Sequence, residues 1–568
     1  MRIPLLHYIF PVVILFTITT NRTNAQEVLI DILKEELHRE MEFLKNEDYP
    51  PYFMDYRVNE LSSSSLSSSF GSLINDSQNK GRILSTSVRI GNYALDNTRE
   101  VDGVNGSKTQ SVPRQLPLDN ESLAIKQILW QSTRYEYQNA VASYNGVHNK
   151  IKRSDNDISK TPDFSKESSQ IYIERIHDTS SITFDKNKWI KRIKELSSLF
   201  LIDESIFAGN VDLEFWTDKK YYVSTEGTKV IQSSTYAHLY ITGAIKAKDG
   251  NVIPLIKSYY SFKPKDLPSN KIIESDILKL ITKLQELKEA PIADAYSGPA
   301  ILSAEAAGVF FHEIFGHRIE GHRLKSDFDG QTFTGKIEER ILPKNLNIIC
   351  DPTLNSLNGQ DLIGYYKYDD QGVKASKVNI VENGILKNFL MSRSPIDGNI
   401  NSNGHGRAQP GAIPVTRQSN LIISTNKPLS NKSLRKKLIK ACKKQDKEYG
   451  YFIKDVIGGF TSTDRYSPNV FNIHPTEVYR VYVDGRPDEL VRGVELIGTP
   501  LAMFATIAEA GNQQGIFTGM CGAESGYVPV TAISPAILVK QIETQKQPKS
   551  YEQLPILTRP QAEKDQTK

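Results

Sequence analysis

Apolar residues near the start of the chain recur at the spacing of a helix and then alternate as in a strand. Leu29, Leu33 and Leu37 lie four residues apart and predict a helix that Pro50 ends. Residues 52–59 follow as a strand. The next tract, LSSSSLSSSFGSLINDSQNKG, is compatible with a hairpin or a mobile loop, and we predict a strand end followed by a loop.

A second block combines long helical segments with strand-like ones. Residues 119–151 predict one long helix, and a charged linker follows at 153–170. Several strands with an intervening helix over 171–262 predict an antiparallel sheet with helices beside it. We therefore predict an N-terminal mixed helix and antiparallel-sheet region over residues 26–270, which the linker would divide into two subdomains.

The C-terminal part begins with a helical pattern and continues mainly as strands. GPAILSAEAAGVFFHEIFGHRIEGHRL, residues 298–324, predicts a helix through a cluster of histidines. The Asn-Gly pair at 383–384 and the Asp-Gly pair at 484–485 predict hairpin turns. We predict an α+β protein whose strand-rich C-terminal domain covers residues 290–545, followed by a polar tail over 546–568.

Length and composition indicate a folded protein of more than one domain. The 568 residues exceed what one hydrophobic core normally organises, and 39% of them are hydrophobic. A net charge of +4 over this length is too dilute for the clustered basic surface that nucleic-acid binding requires. We therefore expect no nucleic-acid partner.

The first 25 residues have the features of a secretory signal peptide. They contain an arginine at position 2, an apolar run from Ile9 to Ile18, and Ala25 before the expected cleavage point. The apolar run is too short to span a bilayer, and a retained membrane anchor is the alternative. We expect an exported protein, periplasmic or extracellular, with no membrane span after cleavage.

The cysteine content is low for an exported protein. Cys350, Cys442 and Cys521 are too few for a disulfide scaffold. In an oxidising compartment two of them could pair, which would leave one thiol free. A free thiol in such a protein suggests a chemical role for that residue.

The segment FFHEIFGHRIEGH, residues 310–322, resembles a metal-binding helix with one residue too many. In H-E-x-x-H zinc helices the two histidines lie one turn apart on one face. His312 and His317 are five positions apart and would point about 140° apart on a regular helix. A π-bulge would restore a common face, and Gly316 would ease that distortion. The alternative is that these histidines only pack in a core.

Two imidazoles need at least one further protein ligand to form a catalytic zinc site. The sequence offers Glu320, His405, His474 and Cys521, whereas His322 would require a second bulge. Glycines on either side of Cys521 would let the backbone approach an ion, and a thiolate ligand would explain the free thiol. Glu320 has two other interpretations, as a partner that orients an imidazole or as a surface carboxylate.

Longer motifs resemble one known family. GVFFHEIFGHRIEG is similar to the H-E-x-x-x-H signature of the TldD/PmbA metalloproteases, once called modulators of DNA gyrase, and GMCGAESGYVPVTAISPAI resembles their C-terminal Cys-Gly motif. SNGHGR and the run from GGFTSTD to VYRVYVDG are similar to further family segments. The resemblance covers about residues 290–545 and is weaker in the N-terminal helix and strand pattern.

This resemblance implies a zinc-dependent metalloprotease with a two-part α+β architecture. His312, His317 and Cys521 would bind Zn2+, and Glu313 would be the general base that assists the attack of zinc-bound water on peptide bonds. The substrates would be small or unfolded peptides, and the protein would form a dimer with itself or with a related chain. The retained signature implies the catalytic, TldD-like type; the alternative is a non-catalytic, metal-stabilised partner or peptide-binding subunit.

Overall fold

The computed structural model describes residues 25–100, 112–152, 160–174, 184–325, 329, 331–463 and 471–546. Residues 1–24 of the predicted signal peptide, residues 153–159 of the predicted linker and residues 547–568 of the predicted tail lie outside these residues. Within the described ranges, no helix has both the length and the apolar character needed to cross a lipid bilayer. Two sheets with helices packed on them make the protein α+β, as predicted.

In the part of the N-terminal half that the structure describes, the first sheet contains seven strands. They are β1 (Pro51–Ser69), β2 (Ser72–Ile90), β3 (Arg114–Leu116), β4 (Ile171–Ile173), β5 (Ile206–Ser224), β6 (Lys229–Lys246) and β7 (Val252–Ser261). Their order is β3-β2-β1-β5-β6, and both β7 and the short parallel strand β4 pair with β6. Two long antiparallel hairpins, β1–β2 and β5–β6, therefore form most of the sheet.

Helices cover one face of this sheet, and the other face is turned towards the C-terminal half. They are α1 (Ala25–Leu44), α2 (Ser122–Ile151), α3 (Lys186–Ser198) and α4 (Asn270–Glu289). Along β6, Ala237 and Leu239 are buried in the core beneath the helices, whereas His238 and Tyr240 are half-buried on the opposite face. This difference follows from the alternation of side chains along a strand.

The serine-rich tract forms a hairpin, so the prediction of a strand end followed by a loop was wrong. β1 and β2 pair along this tract up to the turn at Phe70 and Gly71. Strand β1 also pairs with β5 on its other side. Because β1 lies between two strands, its backbone groups are satisfied whatever its side chains prefer, and that tertiary context overrides the weak strand propensity of serine.

The described residues of the C-terminal half form fifteen strands, eleven of them in one sheet. The strands are β8 (Tyr296–Leu302), β9 (Leu346–Cys350), β10 (Ser356–Leu357), β11 (Gln360–Asp361), β12 (Val378–Glu382), β13 (Ile385–Leu386), β14 (Gly406–Arg407), β15 (Val415–Thr416), β16 (Asn420–Thr425), β17 (Tyr449–Thr461), β18 (Phe471–Tyr482), β19 (Glu489–Val491), β20 (Val494–Gly498), β21 (Ile507–Ala523) and β22 (Gly526–Lys546). The order is β13-β12-β9-β16-β22-β20-β18-β17-β8, with β19 beside β18 and β21 beside β22. Strand β8 also pairs with β22, which closes part of the sheet into a ring.

Helices lie on both faces of this second sheet. They are α5 (Ala304–Ile314), α6 (Asn431–Lys444) and α7 (Pro500–Thr506). Side chains of α5 share a core with Leu302 and Ile537, whereas α6 packs with the neighbouring Ile301 and Leu538 on the opposite face. The predicted helix over 298–324 was therefore wrong at both ends, because its first residues belong to β8 and α5 ends before the second histidine.

Both hairpins predicted from Xaa-Gly pairs are confirmed. Asn383 and Gly384 connect β12 to β13 with φ values of 50° and 79°, as the tight turn requires. Asp484 and Gly485 lie in the longer connection between β18 and β19. Local sequence was sufficient here because turn chemistry depends on neighbouring residues only.

Candidate metal centre

Helix α5 places the histidine segment against the second sheet. The side chain of Ser303 caps the helix by accepting a hydrogen bond from the backbone N–H of Ala306 at 3.1 Å. Every residue from Ala306 to Ile314 is buried. The helix ends at Ile314, and a 3₁₀ turn follows at Gly316–Ile319.

The end of the helix, and not a π-bulge, accommodates the five-residue interval between the histidines. His312 lies in the last turn of α5, and His317 lies in the 3₁₀ turn that follows. Their ring centroids are 5.1 Å apart. The predicted bulge was wrong because the helix is not continuous, and the change to a tighter turn brings the second imidazole back beside the first.

Gly316 is required at this junction because another chain segment approaches it closely. A Cβ atom at Gly316 would lie 1.9 Å from Oε1 of Gln418. Gln418 is fully buried, and its side-chain amide donates a hydrogen bond to the carbonyl of His312 at 3.3 Å. A larger residue at position 316 would displace Gln418 and its contact with the histidine segment.

Cys521 joins the two histidines in one buried cluster. It lies near the end of β21, three residues before the turn to β22. His312, His317 and Cys521 each offer one ligand atom, and these atoms lie within 4.8 Å of one another. The distance between Cys521 Sγ and His317 Nε2 is 3.5 Å. The structure therefore brings together the three residues that the family resemblance implies as metal ligands.

The charges within this cluster suit a bound cation. Burial raises the pKa of the Cys521 thiol, but His317 and His312 beside it lower that pKa well below its ordinary range. Burial lowers the pKa of His317, whereas the Cys521 sulfur and the Glu320 carboxylate raise it to about 10. The cluster thus favours a thiolate beside positive charge. Two imidazoles and one thiolate are also the donor types found in zinc sites, so the residues fit that ion.

Glu320 orients one of the imidazoles. It is fully buried, and its Oε2 lies 3.2 Å from Nδ1 of His317 and 2.9 Å from Nε of Arg323. A hydrogen bond from Nδ1–H to this carboxylate leaves Nε2 free to face Cys521. The burial of Glu320 excludes the alternative of a surface carboxylate.

The remaining histidine candidates lie outside the cluster. His322 pairs with Glu524, His405 is fully buried beside Asn403, and His474 is exposed on β18. Among the residues that the structure describes, Cys521 is therefore the candidate that accompanies the two histidines.

All three cysteine thiols are free. Cys350 and Cys442 do not pair, because they belong to separate hydrophobic clusters, one with α5 and one with α6. Burial raises the pKa of each of these two thiols to about 11. They are therefore unreactive core residues, in contrast to Cys521.

A cavity of about 1470 Å³ opens in front of the cluster. His238, Tyr240 and Tyr260 of the first sheet contribute one side of its lining, and residues of α5, β17 and β21 contribute the other. Glu313 lines this cavity together with the three cluster residues. Gly459 faces Glu313, and a Cβ there would lie 3.1 Å from Glu313 Cγ, so a small residue keeps space for the carboxylate.

Sequence reasoning missed the arginines that surround the cluster. Arg417 donates hydrogen bonds to Cys521, and Arg323 bridges Glu320 and Glu524. Arg417 stands in VTRQSNLIIS, directly before an apolar strand, a pattern in which an arginine is usually a solvated flank. No local signal distinguishes it, since its partners are about a hundred residues away in sequence.

Comparison with known proteins follows the same division of the chain. Residues 296–546 match the family described as the PmbA/TldA metallopeptidase C-terminal domain. This range contains the whole second sheet and every residue of the cluster.

Related chains include two archaeal proteases. A metalloprotease from Archaeoglobus fulgidus is 29% identical over 266 residues, which are 47% of this chain and 56% of that protein. The match thus spans little more than half of that relative. A zinc metalloprotease TldD homolog from Saccharolobus solfataricus is 26% identical over 397 residues, 66% of this chain and 80% of that protein.

Solved structures share the fold over most of the chain. TldE from Thermococcus kodakarensis superposes with a TM-score of 0.58 at 15% identity, covering 90% of this chain and 100% of that one. A proposed modulator of DNA gyrase from Thermotoga maritima gives a TM-score of 0.59 at 15% identity, covering 90% and 99%. At this identity the likeness concerns the fold alone.

Proposed function

The chain belongs to the TldD/PmbA family of metallopeptidases, and we propose that it is a zinc-dependent peptidase that hydrolyses small or unfolded peptides. The observation that carries this proposal is the convergence of His312, His317 and Cys521 on one point of the cavity wall that Glu313 also lines. Three protein ligands and an open side are the arrangement of catalytic rather than structural zinc sites.

The proposed ligands are Nε2 of His317, one ring nitrogen of His312 and the sulfur of Cys521. When bound, a zinc ion supplies Lewis acidity that polarises a scissile carbonyl and acidifies water. Cys521 contributes a negative charge to the site, and Glu320 fixes the tautomer of His317.

Glu313 is the proposed general base. Its carboxylate lies on the cavity side of α5, next in sequence to His312. In the proposed reaction it accepts a proton from the attacking water and then delivers that proton to the leaving amine. These proton transfers need a carboxylate that reaches the substrate but does not itself bind the zinc ion.

The shape of the cavity supports peptides as substrates. At about 1470 Å³ it exceeds the roughly 300–1,000 Å³ of ordinary small-molecule sites. Folded proteins would not enter a space walled by both halves of the chain, whereas an extended segment of several residues would. Small or unfolded polypeptides are therefore the proposed substrate class.

Zinc content and peptide hydrolysis, measured together on the purified protein and three variants, test this proposal. We expect about one zinc per chain in the wild type and a loss of both zinc and activity in Cys521→Ala and His317→Ala. Glu313→Gln should keep its zinc but lose at least about 100-fold in the hydrolysis rate of a quenched unstructured peptide.

Two outcomes would contradict the proposal in different ways. A folded wild type that cannot be loaded with zinc would remove the metal site. A zinc-loaded Glu313→Gln variant as active as the wild type would remove the assigned base, and zinc binding without any hydrolysis would favour the non-catalytic partner role.

A further inference from the structure

Arg417 is a buried charge whose hydrogen bonds converge on the metal-ligand region. It lies between β15 and β16 and is completely inaccessible to solvent. One terminal nitrogen donates to Cys521 twice, to the carbonyl oxygen at 2.6 Å and to Sγ at 3.1 Å. The other donates to Ser525 Oγ at 2.9 Å and to the carbonyl of Gly526 at 2.8 Å. The guanidinium thus binds both arms of the β21–β22 hairpin at its tip.

The third nitrogen of Arg417 faces the carboxylate that orients His317. Arg417 Nε lies 3.8 Å from Glu320 Oε1, and the other carboxylate oxygen, Oε2, lies 3.2 Å from His317 Nδ1. Both Nε and Oε1 are buried, and neither has a hydrogen-bond partner among the residues that the structure describes. Two side chains outside the ligand cluster therefore connect His317 to Cys521.

Such a connection is needed because the two ligands belong to separate elements. His317 lies in the 3₁₀ turn after α5, whereas Cys521 lies near the tip of a hairpin more than two hundred residues later. Pairing within the hairpin holds Cys521 opposite Val528, but contacts outside the hairpin are needed to fix its tip relative to the turn that carries His317. A guanidinium can do so with donors directed along several lines in one plane, which an ammonium group cannot reproduce.

We propose that Arg417 and Glu320 are positioning residues that hold Cys521 and His317 at the separation required to share one zinc ion. This inference rests on the proposed zinc site and deepens it. The burial of a fully desolvated arginine is expensive unless its partners are placed for it, and here those partners are one ligand, the hairpin that carries it and the residue that orients another ligand.

The test is the zinc dissociation constant, measured by chelator competition on the full chain, with thermal unfolding of the metal-free protein recorded in parallel. Arg417→Lys keeps the positive charge but loses the planar guanidinium with its several N–H donors. Glu320→Gln keeps the shape of the side chain but loses its negative charge. Each should weaken zinc binding by roughly 10- to 100-fold. With cobalt in place of zinc, each should also alter the thiolate-to-metal absorption band.

Ser525→Ala is the matched control, because it removes one hydrogen bond from Arg417 to the hairpin and leaves both contacts with Cys521. It should shift zinc affinity by less than about threefold. Wild-type affinity in Arg417→Lys and Glu320→Gln would overturn the proposal, as would an equal loss in Ser525→Ala, which would indicate a tether for the hairpin only. If Arg417→Lys does not fold, the comparison of zinc affinity between Glu320→Gln and Ser525→Ala decides.

Failure of the peptidase proposal gives a different result, because the wild type would then bind zinc without hydrolysing peptide.

Discussion

At the scale of single residues, burial and partners determine what each histidine can do. His312 and His317 lie beside a thiolate, whereas His405 lies in the core with its Nδ1 3.0 Å from Oδ1 of Asn403. Burial lowers the pKa of His405, the hydrogen bond to the Asn403 backbone opposes this effect, and the positive charge of Arg407 adds to it; the resulting pKa is about 3. His405 is therefore a neutral core residue, and its position in the core, outside the group formed by His312, His317 and Cys521, is the reason that it is not a ligand.

This burial predicts a loss of stability in acid. The unfolded chain protonates His405 near its ordinary pKa of 6.5, whereas the folded protein does so only near 3. The stabilisation from neutral His405 is therefore complete above pH 6.5 and is lost as the pH falls from 6.5 towards 3, by up to about 1.4 kcal/mol per pH unit.

The free energy of unfolding in urea, measured from pH 7 to pH 4, checks this prediction. His405→Gln should be less stable at pH 7. Its free energy of unfolding should, however, fall less steeply with decreasing pH than that of the wild type, by a slope that corresponds to at most about one proton. His474→Gln, at an exposed position, is the control. Parallel curves for the wild type and His405→Gln would contradict the prediction.

At the scale of elements, the junction between α5 and the following 3₁₀ turn decides the geometry of the site. The α-helix ends at Ile314 with Phe315 as its C-cap, and the 3₁₀ turn that begins at Gly316 approaches the segment before β16. Gln418 from that segment contacts both the glycine and the carbonyl of His312. Glycine at position 316 thus serves packing between elements and not flexibility within one helix.

Gly316→Ala should therefore destabilise the protein and weaken zinc binding together. The added methyl would overlap the amide of Gln418, and we expect a loss of about 1–3 kcal/mol in the free energy of unfolding. Gly81→Ala is the control, because a Cβ at Gly81 meets nothing within 4 Å. The double variant Gly316→Ala/Gln418→Ala should lose less than the sum of the two single changes; strict additivity would refute the proposed clash.

At the scale of the whole molecule, the cavity depends on contacts between the two halves of the chain. Arg393, in the C-terminal half, is almost fully buried and pairs with Glu226 of the N-terminal half at 2.7 Å. Its guanidinium also lies 3.9 Å from the ring centre of Phe164 and donates to the carbonyl of Ser165. These contacts join the first sheet, which walls the cavity, to the half that holds the proposed metal ligands.

Arg393→Met should separate two properties of the protein. Loss of a buried partner for Glu226 should lower the free energy of unfolding by about 3 kcal/mol. Zinc affinity should stay near the wild-type value because all three proposed ligands belong to the C-terminal half, whereas peptide turnover should fall as the cavity wall loosens. Arg486→Met, which removes an exposed ion pair with Asp484, should change stability by less than about 1 kcal/mol. A parallel fall of zinc affinity and turnover in Arg393→Met would argue against this separation.

The sequence by itself determined the features that depend on neighbouring residues. Turn chemistry at Asn383 and Gly384 and the periodicity of α1 are local properties, and the chain shows them directly. The grouping of His312, His317 and Cys521 was accessible through resemblance to a family, because the histidine motif and the cysteine motif are each recognisable at their own position.

Only the tertiary structure decided how those motifs meet. The serine-rich tract is a paired strand because β2 and β5 flank it, and the five-residue histidine interval fits because α5 ends against Gln418. The pairing of Arg417 with Glu320 joins segments about a hundred residues apart. Long-range packing fixes such contacts through shape and desolvation, and neither quantity is defined until the chain has folded.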